Sequence, residues 1–133
     1  MMAMYTYWIS TALLSLLYLS SAALYILKRE FVAKAQADLG YHVTHLVPLL
    51  IVVKILGPLA ILSRISVPLS DLAYAGMFYH LILSALAHLG ARSIKGALPA
   101  IIGLVLLATS FATQNTAREI LSPYAPTIAA QRN

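Results

Sequence analysis

Four apolar stretches leave this chain little choice of fold. They cover about residues 6–27 (TYWISTALLSLLYLSSAALYIL), 46–63 (LVPLLIVVKILGPLAILS), 70–89 (SDLAYAGMFYHLILSALAHL) and 96–114 (GALPAIIGLVLLATSFATQ). Each is long enough to cross a hydrocarbon layer as a helix rising about 1.5 Å per residue. Transmembrane β-strands would alternate apolar and polar residues over about ten positions, and these runs are apolar throughout. Inside lipid a backbone must satisfy its own N–H and C=O groups, which a helix does within one segment. Composition agrees: 61% of the 133 residues are hydrophobic and 10% are charged, far from the balance of a soluble domain. The expected fold is all-α, an integral membrane four-helix bundle.

Residues 1–115 read as one four-span transmembrane domain and 116–133 as a polar tail, with Pro123 and Pro126 making that tail irregular. The first stretch has no basic residue before it and is longer than a signal-peptide core, so it is expected to remain as a span. Between spans one and two, Glu30, Lys34 and Asp38 recur every four residues beside a stripe of Phe31, Ala35 and Leu39, and Gly40 ends the turn. This predicts a short interfacial helix. Lys28, Arg29, Lys34, Arg92 and Lys95 fall in the links after spans one and three, against Arg64, Arg118 and Arg132 on the other side. Basic loops stay cytoplasmic, so both termini are expected outside. The net charge of +5 is accordingly a topology signal with some contact to anionic lipid, and it does not indicate nucleic-acid binding.

There is no cysteine, which removes thiol–disulfide exchange, thiolate nucleophiles and iron–sulfur ligation. No CxxC, P-loop, GxGxxG, HExxH or GxSxG pattern occurs. Any chemistry rests on the few polar groups within the spans. Lys54 lies about eight residues, or about 12 Å, inside span two from its first end. His80 in span three lies at nearly the same depth, and Tyr18 in span one is close to that level. A lysine side chain of about 6 Å cannot snorkel that far, and a midplane lysine facing lipid is disfavoured by about 2.5–3.5 kcal/mol. Lys54 is therefore expected to face the bundle interior, on a face shared with Val47, Leu50, Ile51, Gly57, Pro58 and Ile61. In span three Ala73, Gly76, His80, Ser84 and Ala87 form a face of mostly small residues suited to close helix approach.

Other polar residues read more simply. His42, His45 and His88 gather near one membrane boundary with only Asp38 beside them, an interfacial cluster without the ligand set of a metal site. His80 has no histidine opposite it to complete a haem ligand pair. Arg64 and Asp71 flank the link SRISVPLSD as a candidate exposed pair of little energetic weight. Ser70 or Asp71 is a candidate N-cap of span three.

The order YWIST, LGY, VKILGPLAIL, SDLAYAG and AHLG along residues 5–115 resembles the DoxX-like family of small four-span bacterial membrane proteins. The matching positions are Lys54 and Gly57, Tyr74 with Gly76 in the Tyr-Ala-Gly step, and His88. The resemblance implies a four-helix bundle in a bacterial inner membrane. It implies less about activity: the family is named for a subunit of a thiosulfate:quinone oxidoreductase, and similar proteins include animal receptor-assembly chaperones. Many relatives carry an acidic residue where this chain has Phe78-Tyr79-His80, which leaves an acid–base role open.

Two classes of function stand at this point, with a third behind them. In the first, the protein binds a lipophilic molecule such as a quinone beside an oxidoreductase partner. Lys54 and His80 would hydrogen-bond its carbonyl oxygens, and Tyr18 or Tyr79 would stack nearby. In the second it is a non-catalytic assembly or structural subunit docking partner helices or a second copy of itself. The third is a membrane enzyme acting on a small hydrophobic substrate, for which no paired acid–base motif is present.

Overall fold

The computed structural model describes residues 1–40 and 45–127. Among them are five α-helices and no strand: α1 (Met2–Leu27), α2 (Arg29–Asp38), α3 (Leu46–Ser63), α4 (Val67–Gly90) and α5 (Ile94–Thr113). A 3-10 turn, Gln114–Ala117, follows α5. All but α2 are long and apolar enough to cross a membrane. The chain is a multi-pass helical membrane protein.

The long helices form a closed ring. α1 packs on α3 and α5, and α4 packs on the same two, so α1 and α4 face each other across the diagonal. α2 bridges α1 and α3 at one end, hereafter the α2 end. The first residues of α1 and the 3-10 turn lie at the other, the terminal end. Short links join α3 to α4 and α4 to α5, and Arg64 and Arg92 each take a left-handed backbone (φ 56° and 58°) to reverse the chain there. Ser66 caps α4 by accepting from the Leu69 N–H at 3.1 Å, and Ser93 caps α5 by accepting from Gly96 at 3.1 Å.

Each long helix turns one narrow stripe inward. The stripe is Tyr7, Thr11, Leu14, Tyr18 and Ala22 on α1, and Ala97, Ala100, Gly103, Leu107 and Ser110 on α5. On α3 it is Val47, Lys54, Gly57, Pro58 and Ile61, the face expected from sequence. The helix continues through Pro58. Large residues such as Leu16, Leu56, Leu83 and Val105 remain exposed all round, as a surface solvated by lipid requires.

Three expectations need correction. α4 buries Ser70, Tyr74, Met77, Leu81 and Ala85, one position away from the small-residue face, and Gly76 is exposed with open space around it. A pair of helices approaches through small residues, but a ring of four has an interior that only larger side chains fill; Tyr74, Met77 and Leu81 fill it. α2 is the short helix expected between spans one and two; it buries Val32 and leaves Phe31, of its apolar stripe, 66% exposed. Span three begins earlier than its apolar stretch, so Ser66 is the cap; Ser70 is fully buried and its hydroxyl donates to the Ala60 carbonyl at 3.3 Å.

The third concerns the expected pairing of Arg64 with Asp71. Residues 118–127 are non-helical, yet they are held against the terminal end by side chains. Asn115 donates to the carbonyls of Ser122 (3.0 Å) and Ala125 (3.1 Å) and accepts from the Ser122 N–H (2.8 Å). The Ser122 hydroxyl bonds both oxygens of Asp71, at 3.0 and 2.8 Å. Asp71 therefore binds the tail rather than Arg64, whose guanidinium donates to the Ala117 carbonyl. Residues 128–133 and the expected histidine neighbour His42 lie outside the described residues.

Candidate functional site

Lys54 is 6% exposed and enters the ring from α3. Its ammonium lies 4.8 Å from the ring centroid of Tyr25 and 5.4 Å from that of Tyr18, both on α1. A cation over aromatic faces is stabilised by the ring quadrupole, more strongly where water is excluded. Tyr18 reaches across the diagonal to α4: its hydroxyl is 2.9 Å from His80 Nδ1 and donates to the Met77 carbonyl at 3.3 Å. The hydroxyl has one proton: given to Met77, it leaves His80 Nδ1–H to donate to the Tyr18 oxygen; turned to the ring, it makes Nδ1 the acceptor and puts the imidazole proton on Nε2. Tyr25 in turn receives a hydrogen bond from the Gln36 amide of α2 at 3.1 Å.

Carboxylates are scarce here. The chain has four Asp and Glu residues: Glu30 and Asp38 sit exposed on α2, Glu119 is exposed at the terminal end, and Asp71 is engaged by Ser122. Lys54 thus stands in the middle of a span with aromatic faces in place of a counter-ion.

A cavity of about 190 Å³ opens between this cluster and the α2 end. Tyr25, Gln36, His80, Ser84 and His88 supply its polar groups, and Leu39, Leu46, Leu50, Leu83 and Ala87 the rest. Lys54 stands behind it, in contact with Tyr25. A larger apolar groove of about 920 Å³ runs between α4 and α5, lined by Tyr74, Phe78, Leu107 and Phe111 and closed at its terminal end by Asp71 and Tyr124.

Of the residues singled out from sequence, Lys54, Tyr18 and His80 come together. Tyr79 does not join them: it is 66% exposed on the outer face of α4, and its ring meets Phe78. Gly57 lets α3 approach α4, since a Cβ there would stand 3.1 Å from Met77 Sδ. Tyr74 belongs to a separate buried chain in the terminal half, where its hydroxyl and that of Thr11 each lie 2.6 Å from the Ser110 hydroxyl, tying α4, α5 and α1. Gly76 faces outward, and the His88 ring lies against Gly96 at the start of α5, where no Cβ would fit. Sequence reasoning missed Tyr25 and Gln36. Tyr25 had a legible signal, lying two turns after Tyr18 on the same helix face; Gln36 had none.

A model of the DoxX-like family matches residues 9–110, a span that takes in Tyr18, Tyr25, Lys54 and His80. No curated protein and no solved structure matches the chain.

Proposed function

This chain belongs to the DoxX-like family, and from that premise we propose that its bundle binds a lipophilic molecule with a compact polar head, a quinone being the compound that fits, in the cavity at the α2 end. The observation that carries the reading is Lys54: a buried, mid-span cation without a carboxylate partner among the described residues, placed behind a cavity lined by hydrogen-bonding side chains. Polar groups in membrane spans are costly and persist where they serve a ligand or an ion.

Size and chemistry both suit one ring. An apolar cavity of about 150 Å³ takes up benzene, so 190 Å³ holds a substituted six-membered ring. Ser84, Gln36 and His80 offer donors to carbonyl oxygens, and the Lys54 charge behind Tyr25 favours whatever negative charge gathers on those oxygens on reduction. The isoprenoid or acyl part would remain in lipid. In this reading the protein is accessory to an oxidoreductase partner in a bacterial inner membrane, with both termini outside, and Lys54, His80 and Tyr18 form the site while Tyr79 has no part in it.

The test is extraction and mass spectrometry of the purified chain. A lipophile bearing carbonyl or hydroxyl groups should co-purify near one per chain, and Ser84→Leu, which fills the cavity, should remove it while the helical content stays intact. Equal lipophile in both proteins would sink the reading. A cavity empty in the native protein, together with stable capture of a membrane partner, would point to the assembly role instead.

A further inference from the structure

We infer that the terminal end of the bundle carries a lipid-phosphate site between Arg64 and Arg118, separate from the Lys54 cavity and independent of what that cavity binds. The α3–α4 link and the segment after the 3-10 turn enclose a polar cavity of about 390 Å³, with Arg64, Ser66, Arg118 and Glu119 on its wall.

Both arginines are held in place with donors to spare. Arg64 is tethered to the Ala117 carbonyl and lies 5.3 Å from the ring of Trp8. Arg118 donates through Nε to Gln114 Oε1 at 2.9 Å, while its Nη2 is buried without a hydrogen-bond partner among the described residues. An unpaired guanidinium donor is costly to keep buried, so a turn of the Arg118 side chain that presents it to an anion in the cavity is favoured, and a charged acceptor is its strongest partner. The same cavity touches Val67 in the first turn of α4, whose N–H has no acceptor within the helix and adds a favourable dipole for an anion. Asp71 is not on the cavity wall and is turned to Ser122.

Charge and depth name the occupant. Two arginines and Glu119 leave one net positive charge, which a phosphodiester with its single negative charge balances. The cavity lies level with Trp8, a residue type that marks the headgroup region. Ile65 and Ile120, 77% and 76% exposed, flank it and offer apolar surface to the glycerol and first methylenes of a lipid. A phospholipid without an ammonium group fits best, because a choline or ethanolamine headgroup would bring a second cation toward the arginines.

Native mass spectrometry of the full chain released from nanodiscs of equal phosphatidylglycerol and phosphatidylcholine tests this. The native protein should retain phosphatidylglycerol preferentially. Retention should fall about fivefold for each of Arg64→Gln and Arg118→Gln, the effect of one basic residue at a membrane surface. Glu119→Gln, at an exposed position that cannot disturb folding, should raise it. Arg29→Gln at the opposite end should leave it unchanged. Loss with Arg29→Gln equal to that with Arg118→Gln, or no response to Glu119→Gln, would overturn the site. Inorganic phosphate displacing the lipid as effectively as added phosphatidylglycerol would assign the cavity to a soluble phosphate and overturn the lipid assignment.

Discussion

Replacing Asn115 by alanine should release the tail from the bundle. The asparagine's three shortest bonds to the tail are donations to two carbonyls and acceptance of one N–H, at 3.0, 3.1 and 2.8 Å. At about 0.5–1.5 kcal/mol net for each, the three bonds are worth about 2–4 kcal/mol. Leaving the same backbone groups buried and unpaired would cost more, about 1–3 kcal/mol apiece, so the tail would come off rather than stay docked with them unmet. The Ser122 hydroxyl on Asp71 remains, a bond to a charged group worth about 1.5–3 kcal/mol, with Arg118 on Gln114 at the start of the tail. A shift of 2–4 kcal/mol multiplies the open population by about 30 to 700 at 1.4 kcal/mol per decade. Amide hydrogen exchange in nanodiscs reads this directly: the Ser122 N–H should lose at least about 30-fold in protection, while amides in the inward stripes of α1 and α5 are unchanged. Asn115→Asp should be no better, since it keeps the acceptor but turns a carboxylate toward two carbonyls. Ser122 protection within a factor of about three of the native value in Asn115→Ala would refute the reasoning.

Other outcomes follow from the same geometry. Lys54→Met should reduce lipophile retention strongly yet change unfolding free energy by no more than about 2 kcal/mol, because a midplane charge costs about 2.5–3.5 kcal/mol and two cation–π contacts return about 1–4; a steric-trap measurement showing a loss well beyond that would make Lys54 a packing residue. Tyr18→Phe, which removes the bonds to His80 and Met77, should cost about 1 kcal/mol by the same assay, and a neutral result would mean the diagonal contact is incidental. Gly103→Ala places a Cβ 2.8 Å from Leu81 Cδ2 and 3.2 Å from Leu17 Cδ2 and should destabilise by about 1–3 kcal/mol. Adding Leu81→Ala to that variant should recover part of the loss, and strictly additive effects would contradict the close contact.

Much of this protein was legible before any coordinates. Long apolar runs in a chain with so few charges can only be spanning helices, because lipid offers the backbone no hydrogen-bond partners. The inward placement of Lys54 followed from reach alone, since its side chain is too short to bring the ammonium to water. A contrast as sharp as one cation in an apolar span survives in one dimension.

Tertiary structure decided which apolar face of each helix turns inward, and here sequence periodicity had little to say. In water a buried stripe is set off by a polar face, but lipid makes the outside of a helix as apolar as its core. The small residues of α4 therefore suggested a packing face one position away from the true one, and only the ring of four showed that Tyr74, Met77 and Leu81 fill the centre. The same holds for Tyr18 meeting His80 across the diagonal and for Asn115 and Asp71 pinning a tail that looks irregular in sequence. Those contacts join residues far apart in the chain, and hydrogen-bond partners at such separations leave no local pattern to read.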